Sequence, residues 1–139
     1  MNNELTNEII TLEKDALNKW FKGDTSGYLN LWSQKNFTYF DSFMDHRVDT
    51  YEEIKKFVLG NVEGKLFADT YNFKDPRVQV NSDTAILTYQ LFAETSLNDM
   101  RYNCIEIYQR EGDDWKVVHS TWSIIRPMDV NFDAKKPLV

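Results

Sequence analysis

A chain of 139 residues with a single cysteine has the length of one domain, able to bury a core without disulfides. Its formal net charge of -6 excludes the basic surface a nucleic-acid binder needs, and nothing in it resembles a signal peptide or a membrane span. Nucleic acid and membrane are therefore set aside as partners, a cytoplasmic, reducing location is expected, and the aromatic share of 14% points to a lined pocket or an interface.

In chain order, residues 4–22 read as a helix. Leu5, Ile9, Leu12, Ala16 and Trp20 recur in steps of three and four, and Leu17 and Phe21 widen the stripe enough to cover a sheet. Gly23 is placed to stop this helix, and Asp24 to cap a short second one that buries Tyr28, Leu31 and Trp32. Phe37 to Asp41 is a short β-prone run, followed by a polar loop to Val48. Thr50-Tyr51-Glu52-Glu53 forms a capping box for a third helix, with Ile54, Phe57 and Val58 inward and Gly60 at its end.

From Lys65 the period changes to two. Leu66 to Val80 reads as one long strand, bent at Asp75-Pro76 because proline cannot donate to a ladder. Asn81-Ser82-Asp83 turns the chain, Thr84 to Thr95 returns, and Leu97-Asn98-Asp99 turns it again. Met100 to Ile125 holds two more strands joined at Arg110-Glu111-Gly112-Asp113-Asp114. The tail, 127–139, has little periodicity and reads as irregular, with Phe132 as a strap. The order α-α-β-α-β-β-β-β predicts one α+β domain over 1–139, with three helices on one face of a curved antiparallel sheet.

Several residues carry candidate chemistry. In the strand from Met100 to Arg110, alternation puts Tyr102, Cys104, Glu106 and Tyr108 on one face and Asn103, Ile105 and Ile107 on the other. Val118, Ser120, Trp122 and Ile124 form one face of the last strand, against Val117, His119 and Thr121. Leu87, Tyr89 and Leu91 oppose Ile86, Thr88, Gln90 and Phe92. Alternation does not say which face is concave. Cys104 reads as a small buried hydrophobe. His46 lies near Asp45 and Asp49, but no HxH or HxxxH spacing supports a metal site. No phosphate loop, dinucleotide fingerprint or nucleophile elbow is present, so no cofactor is expected.

Leu12-Glu13-Lys14, the break at Lys22-Gly23-Asp24, Tyr28, Phe40-Asp41, Asp75-Pro76-Arg77-Val78, Tyr89, Glu106 to Arg110 and Trp115 to Ser120 together resemble the NTF2-like superfamily. More narrowly they resemble its SnoaL-like branch, which includes DUF4440 domains, and they are similar to the association domain of calcium/calmodulin-dependent protein kinase II. The resemblance spans roughly residues 4–126. It implies a cone, with a bent sheet around the N-terminal helix, a pocket at the open end and homodimers through the outer face. Its members include isomerases, dehydratases and cyclases as well as non-catalytic assembly modules, so fold does not settle function.

The resemblance also implies which face is concave. Pocket arginines of the kinase association domain align with Leu91, Glu106 and Trp122. That puts Tyr89, Glu106, Tyr108 and Trp122 inside and leaves His119 on the outer face, as a dimer-interface candidate. Without the arginines, the pocket suits a neutral or cationic, partly aromatic small molecule. Glu106 in an aromatic cavity would have a raised pKa and could act as a general acid or base. Alternatively it is a structural carboxylate bonded to Tyr89 or Tyr108, or paired with Arg101 or Arg126. Asp41, near where acids act as bases in the family's isomerases, is a second candidate base or a turn residue. Tyr39 or Tyr89 could bond a developing oxyanion. Trp20, Trp32 and Trp122 could stack a flat ligand, with core packing as the alternative, which the helix stripes favour for Trp20 and Trp32.

Overall fold

The computed structural model describes residues 3–126, so the expected irregular tail at 127–139 and its strap Phe132 lie outside the described residues. Helix α1 (Asn3–Trp20) is followed by α2 (Ser26–Leu31), the short strand β1 (Thr38–Phe40) and α3 (Tyr51–Asn61). Then come β2 (Asn72–Asn81), β3 (Thr84–Glu94), β4 (Asp99–Glu111) and β5 (Asp114–Ile124). The element order is the one the sequence predicts. The sheet runs β1-β5-β4-β3-β2, antiparallel throughout except that β1 pairs parallel with β5. Among the described residues no helix is long and apolar enough to cross a membrane.

α1 ends because Gly23 adopts φ 77°. Its amide donates to the Trp20 carbonyl at 3.2 Å, and the Asp24 amide donates to the Lys19 carbonyl at 3.0 Å. This pair of bonds is the Schellman arrangement, which satisfies carbonyls that the helix end leaves open. The α2 cap differs from expectation. Thr25 occupies the cap position but its hydroxyl donates to Glu63 Oε1 instead of capping the helix, while Asp24 Oδ1 accepts the Ser26 amide at 2.9 Å. At α3 the Thr50 hydroxyl covers the Glu53 amide at 3.2 Å. Glu53 does not reach back, because its carboxylate lies 2.9 Å from His46 Nε2. Gly60 sits inside the last turn of α3 rather than ending it, and Val62 caps the helix.

Two strand readings are corrected. The run from Leu66 to Tyr71 does not join the sheet. Phe67 bridges to Lys22, and the Ala68 amide donates to the Phe21 carbonyl at 3.0 Å, so this segment pairs with the end of α1. The bend at Asp75-Pro76 is present as a shift of register, with Asp75 at φ 53°. In β5 the alternation slips. Tyr108 pairs with Val117 but Ile107 pairs with His119, so Val118 is an extra, bulged residue. Val117 therefore points inward with Ser120 and Trp122, not outward with His119.

Inside the curve, α1 buries Ile9, Glu13, Ala16, Leu17 and Trp20. The inward faces of β3 and β4 supply Leu87, Tyr89, Leu91, Tyr102, Cys104, Glu106 and Tyr108, all buried. Gly23 is where this packing is tightest. A Cβ there would lie 2.8 Å from Phe67 Cζ, and its carbonyl accepts the Gly64 amide at 2.8 Å. Gly23→Ala should therefore destabilise the protein by about 1–3 kcal/mol in urea unfolding, the cost of a left-handed non-glycine residue plus the displaced ring. A loss below about 0.5 kcal/mol would show that this turn does not constrain the fold.

Candidate functional site

The concave face divides along its length into a cavity at one end and a buried acid cluster at the other. The cavity has a volume of about 310 Å³. Its walls come from Trp20 at the end of α1, Tyr39 and Asp41 around the end of β1, Phe57, Val58 and Asn61 on α3, and Met100, Tyr102 and Trp122 on β4 and β5. Val62, Leu66, Phe43, Leu97 and Asn98 complete it, and Phe43 and Leu97 are exposed at its rim.

The polar ends of the wall aromatics are mostly engaged by the protein. Tyr39 donates its hydroxyl to Asp41 Oδ2 at 2.8 Å, and the Phe43 amide donates to Asp41 Oδ1 at 2.8 Å. Trp122 Nε1 donates to Ser120 Oγ at 2.8 Å, and the Tyr102 and Ser42 hydroxyls are 2.8 Å apart. Trp20 Nε1 is buried with no partner. Burial, and then the neighbouring charge of Asp41, hold the Tyr39 phenol well above its usual pKa, so it remains a neutral donor.

Two turns before Trp20, α1 carries Glu13, which is completely buried. Three phenols converge on it. Tyr28 from α2 and Tyr89 from β3 donate to Oε2 at 2.6 Å, and Tyr108 from β4 donates to Oε1 at 2.6 Å. Burial first, and the Glu13 charge next, raise all three phenol pKa values well above normal, so each keeps its proton and acts as donor. The two tyrosines expected beside Glu106 thus serve Glu13 instead. Glu106 is equally buried, and no partner meets hydrogen-bond geometry at either of its oxygens. Burial, then the adjacent Glu13 carboxylate, push its pKa well above the carboxylate range, and the nearby Ser120 hydroxyl only partly offsets them. Two adjoining buried carboxyls do not both ionise, so Glu106 carries the proton.

Of the residues singled out in sequence, Trp20, Tyr39, Asp41 and Trp122 are brought together around the cavity. Glu106, Tyr89, Leu91 and Tyr108 share the concave face but do not line that cavity. Tyr28 links the two regions, with its ring edge-to-face against Trp20 at 5.3 Å and Trp122 at 6.3 Å. His119 is half-buried on the other face, bonded through Nδ1 to Thr38 at 2.7 Å and through Nε2 to Thr121 at 2.6 Å. Burial lowers its pKa, which keeps the imidazole neutral between the two hydroxyls. His46 bridges Asp45 and Glu53 at the surface, Asp49 pairs with Arg47, and no metal-binding group occurs among the described residues. Sequence reading missed Glu13 as a site residue. Its signal was positional, since it lies four residues after Ile9 and four before Leu17, in the middle of the apolar stripe.

These features define a SnoaL-like cone. The SnoaL-like domain family matches residues 11–127, and the chain belongs to it. A Parabacteroides distasonis protein provisionally named a ketosteroid isomerase is 30% identical, with a TM-score of 0.74 over 87% of this chain and 88% of that one. An NTF2-like protein of Pseudomonas putida, 16% identical, has a TM-score of 0.74 over 93% of this chain and 92% of its own. The CaMKII hub of S. rosetta, 22% identical, has a TM-score of 0.65 over 83% of this chain and 92% of its own. The last two show the shared fold alone. No curated protein matches the chain.

Glu106 sets a pH dependence whose sign follows from its proton. The folded protein keeps that proton to higher pH than the unfolded chain, which releases it near pH 4.3. The resulting stabilisation is complete below that value and is lost as pH rises through the folded-state pKa. Glu106→Gln removes the titration and keeps the shape. Its stability relative to wild type should therefore rise from about pH 5 upward, by at most about 1.4 kcal/mol per pH unit. Urea unfolding at several pH values measures this, and a pH-independent difference would mean that Glu106 is ionised in the fold.

Proposed function

We propose that this chain is a homodimeric SnoaL-like protein that binds a small organic molecule in the cavity between α1, α3 and the β4–β5 end of the sheet. The observation that carries this reading is the cavity itself, about 310 Å³ and walled chiefly by aromatic and aliphatic side chains. Ligand sites of this kind begin at roughly 300 Å³ and place a few polar groups in an apolar lining. Trp20, Tyr39 and Trp122 supply wall area, and Asp41 supplies a polar contact point. A cytoplasmic location suits the lone, buried Cys104 thiol.

Self-association is supported by the outer sheet face. Phe40 and Ile105 are exposed there, and half-buried Ile107 and His119 continue the patch. The relatives that share the fold include a kinase hub domain. Native mass spectrometry of freshly purified protein should show a dimer, and a strict monomer would overturn the interface.

A second reading has a specific observation in its favour. Asp41 places a carboxylate in the cavity wall, a candidate base positioned by the hydrogen bond it accepts from the neutral phenol of Tyr39. The relative named as a ketosteroid isomerase adds weight to proton transfer at a carbon next to a carbonyl. Asp41 carries this role better than Glu106, which does not line the cavity, and Glu106 with the Glu13 cluster then supports the wall from behind. Conversion of an unconjugated ketosteroid to its conjugated enone, followed by ultraviolet absorbance, tests it. Activity should fall at least about 100-fold in Asp41→Asn, the usual scale of a lost general base.

Binding is read by thermal unfolding across a compound library. A ligand at 100 times its Kd adds about 2.7 kcal/mol of stability, enough to raise Tm by several degrees. Val62→Trp, which fills the cavity from α3, should abolish the rise. A compound that still stabilises the Val62→Trp variant binds elsewhere.

A further inference from the structure

We propose that the cavity selects an organic ammonium ion, an apolar body bearing one positive charge, over neutral and anionic molecules of the same shape. This deepens the binding reading above and rests on it. Among the described residues Asp41 is the only charged one in the lining, and no lysine, arginine or histidine joins it there. Each Asp41 oxygen accepts one internal bond and retains lone-pair capacity for a ligand.

The donors are largely spent. The Tyr39 hydroxyl and Trp122 Nε1 point to protein acceptors, and the Asn61 and Asn98 amide nitrogens donate to the Phe57 and Asp99 carbonyls. Trp20 Nε1 has no partner but is itself buried, and the two asparagine amides each keep one further N–H. With their polar ends occupied, Tyr39, Tyr102 and Trp122 present ring surface to the ligand. Aromatic walls attract a cation through the ring quadrupole, and aromatic cages of this composition suit substituted ammonium groups. An anion would meet the Asp41 charge with no basic group to receive it. A neutral ligand would leave that carboxylate half-buried and without a counter-charge. The acid cluster reinforces the same sign, because Glu13 holds a negative charge two helical turns behind Trp20.

Three probes of similar shape separate the possibilities: benzyltrimethylammonium, its uncharged carbon isostere neopentylbenzene, and the anion phenylacetate. Binding is followed by tryptophan fluorescence, since Trp20 and Trp122 are in the wall. The cation should bind at least tenfold tighter than either other probe. Asp41→Asn should weaken the cation at least tenfold and leave neopentylbenzene unchanged. Asp69→Asn removes the same charge from an exposed site outside the lining and should leave all three unchanged. If neopentylbenzene matches the cation, or Asp41→Asn has no effect on it, the charge preference is overturned while the cavity remains a binding site. If no probe binds, or binding survives Val62→Trp, the cavity reading falls and the preference with it.

Discussion

Burial of the Glu13 carboxylate is the constraint around which the rest of the molecule is arranged. A carboxylate moved from water to the interior costs several kcal/mol unless its lone pairs are satisfied. Here three phenols satisfy it, one each from α2, β3 and β4, all at 2.6 Å. Bonds of this charge-assisted kind contribute about 1.5–3 kcal/mol each, enough to offset the burial. Because the donors come from three elements and the acceptor from a fourth, the bonds fix where α1 lies along the sheet. They also fix its rotation, since Glu13 must face the tyrosines. Trp20, two turns further along the same stripe, is thereby delivered to the cavity wall.

The same carboxylate decides the state of Glu106. One buried charge in this cluster is tolerable because it is fully bonded, whereas a second beside it would have no donors. Glu106 therefore holds a proton, and the cluster carries a single negative charge. This separates the two acidic residues that stood out in sequence. Glu106 is a neutral acid inside the core. Asp41, held by Tyr39 and the Phe43 amide, is the acid that lines the cavity. The cavity is lined by the second and not the first.

Much of this fold was legible because its signals are periodic. The stripe from Leu5 to Phe21, the capping threonine at Thr50 and the alternation of β3 and β4 each follow from local geometry, and all are present. What was not legible depended on partners distant in sequence. Leu66 to Tyr71 alternates like a strand, yet its partner is the end of α1, which no local pattern reveals. The bulge at Val118 has no residue-type signature, so the parity of Val117 came out reversed. Glu13 was passed over because a carboxylate on a helix ordinarily marks the solvated side. Only its position between Ile9, Ala16 and Leu17, together with unusually numerous tyrosines on other elements, marks it as buried. Trp20 was readable both as core and as pocket, and it is both.

Among the described residues, four of the five buried side-chain polar atoms without partners fall in an informative place. Trp20 Nε1, Trp32 Nε1 and both Glu106 oxygens belong to the region where the aromatic cluster meets the acid cluster, while the fifth, Trp115 Nε1, lies at the start of β5. Natural cores pair nearly all such atoms, and each exception asks for a reason. A core selected for stability alone could replace Glu13, Glu106 and their tyrosines with aliphatic side chains at no loss, and often with gain. This protein instead keeps a rigid polar centre whose tyrosine ring, Tyr28, is packed directly on the two tryptophans of the cavity. Those tryptophans are thus held by bonds made to Glu13 as well as by packing. Pre-organisation of that kind lowers the ordering cost of binding, which explains why a structure would retain a costly buried carboxyl pair behind an otherwise apolar wall.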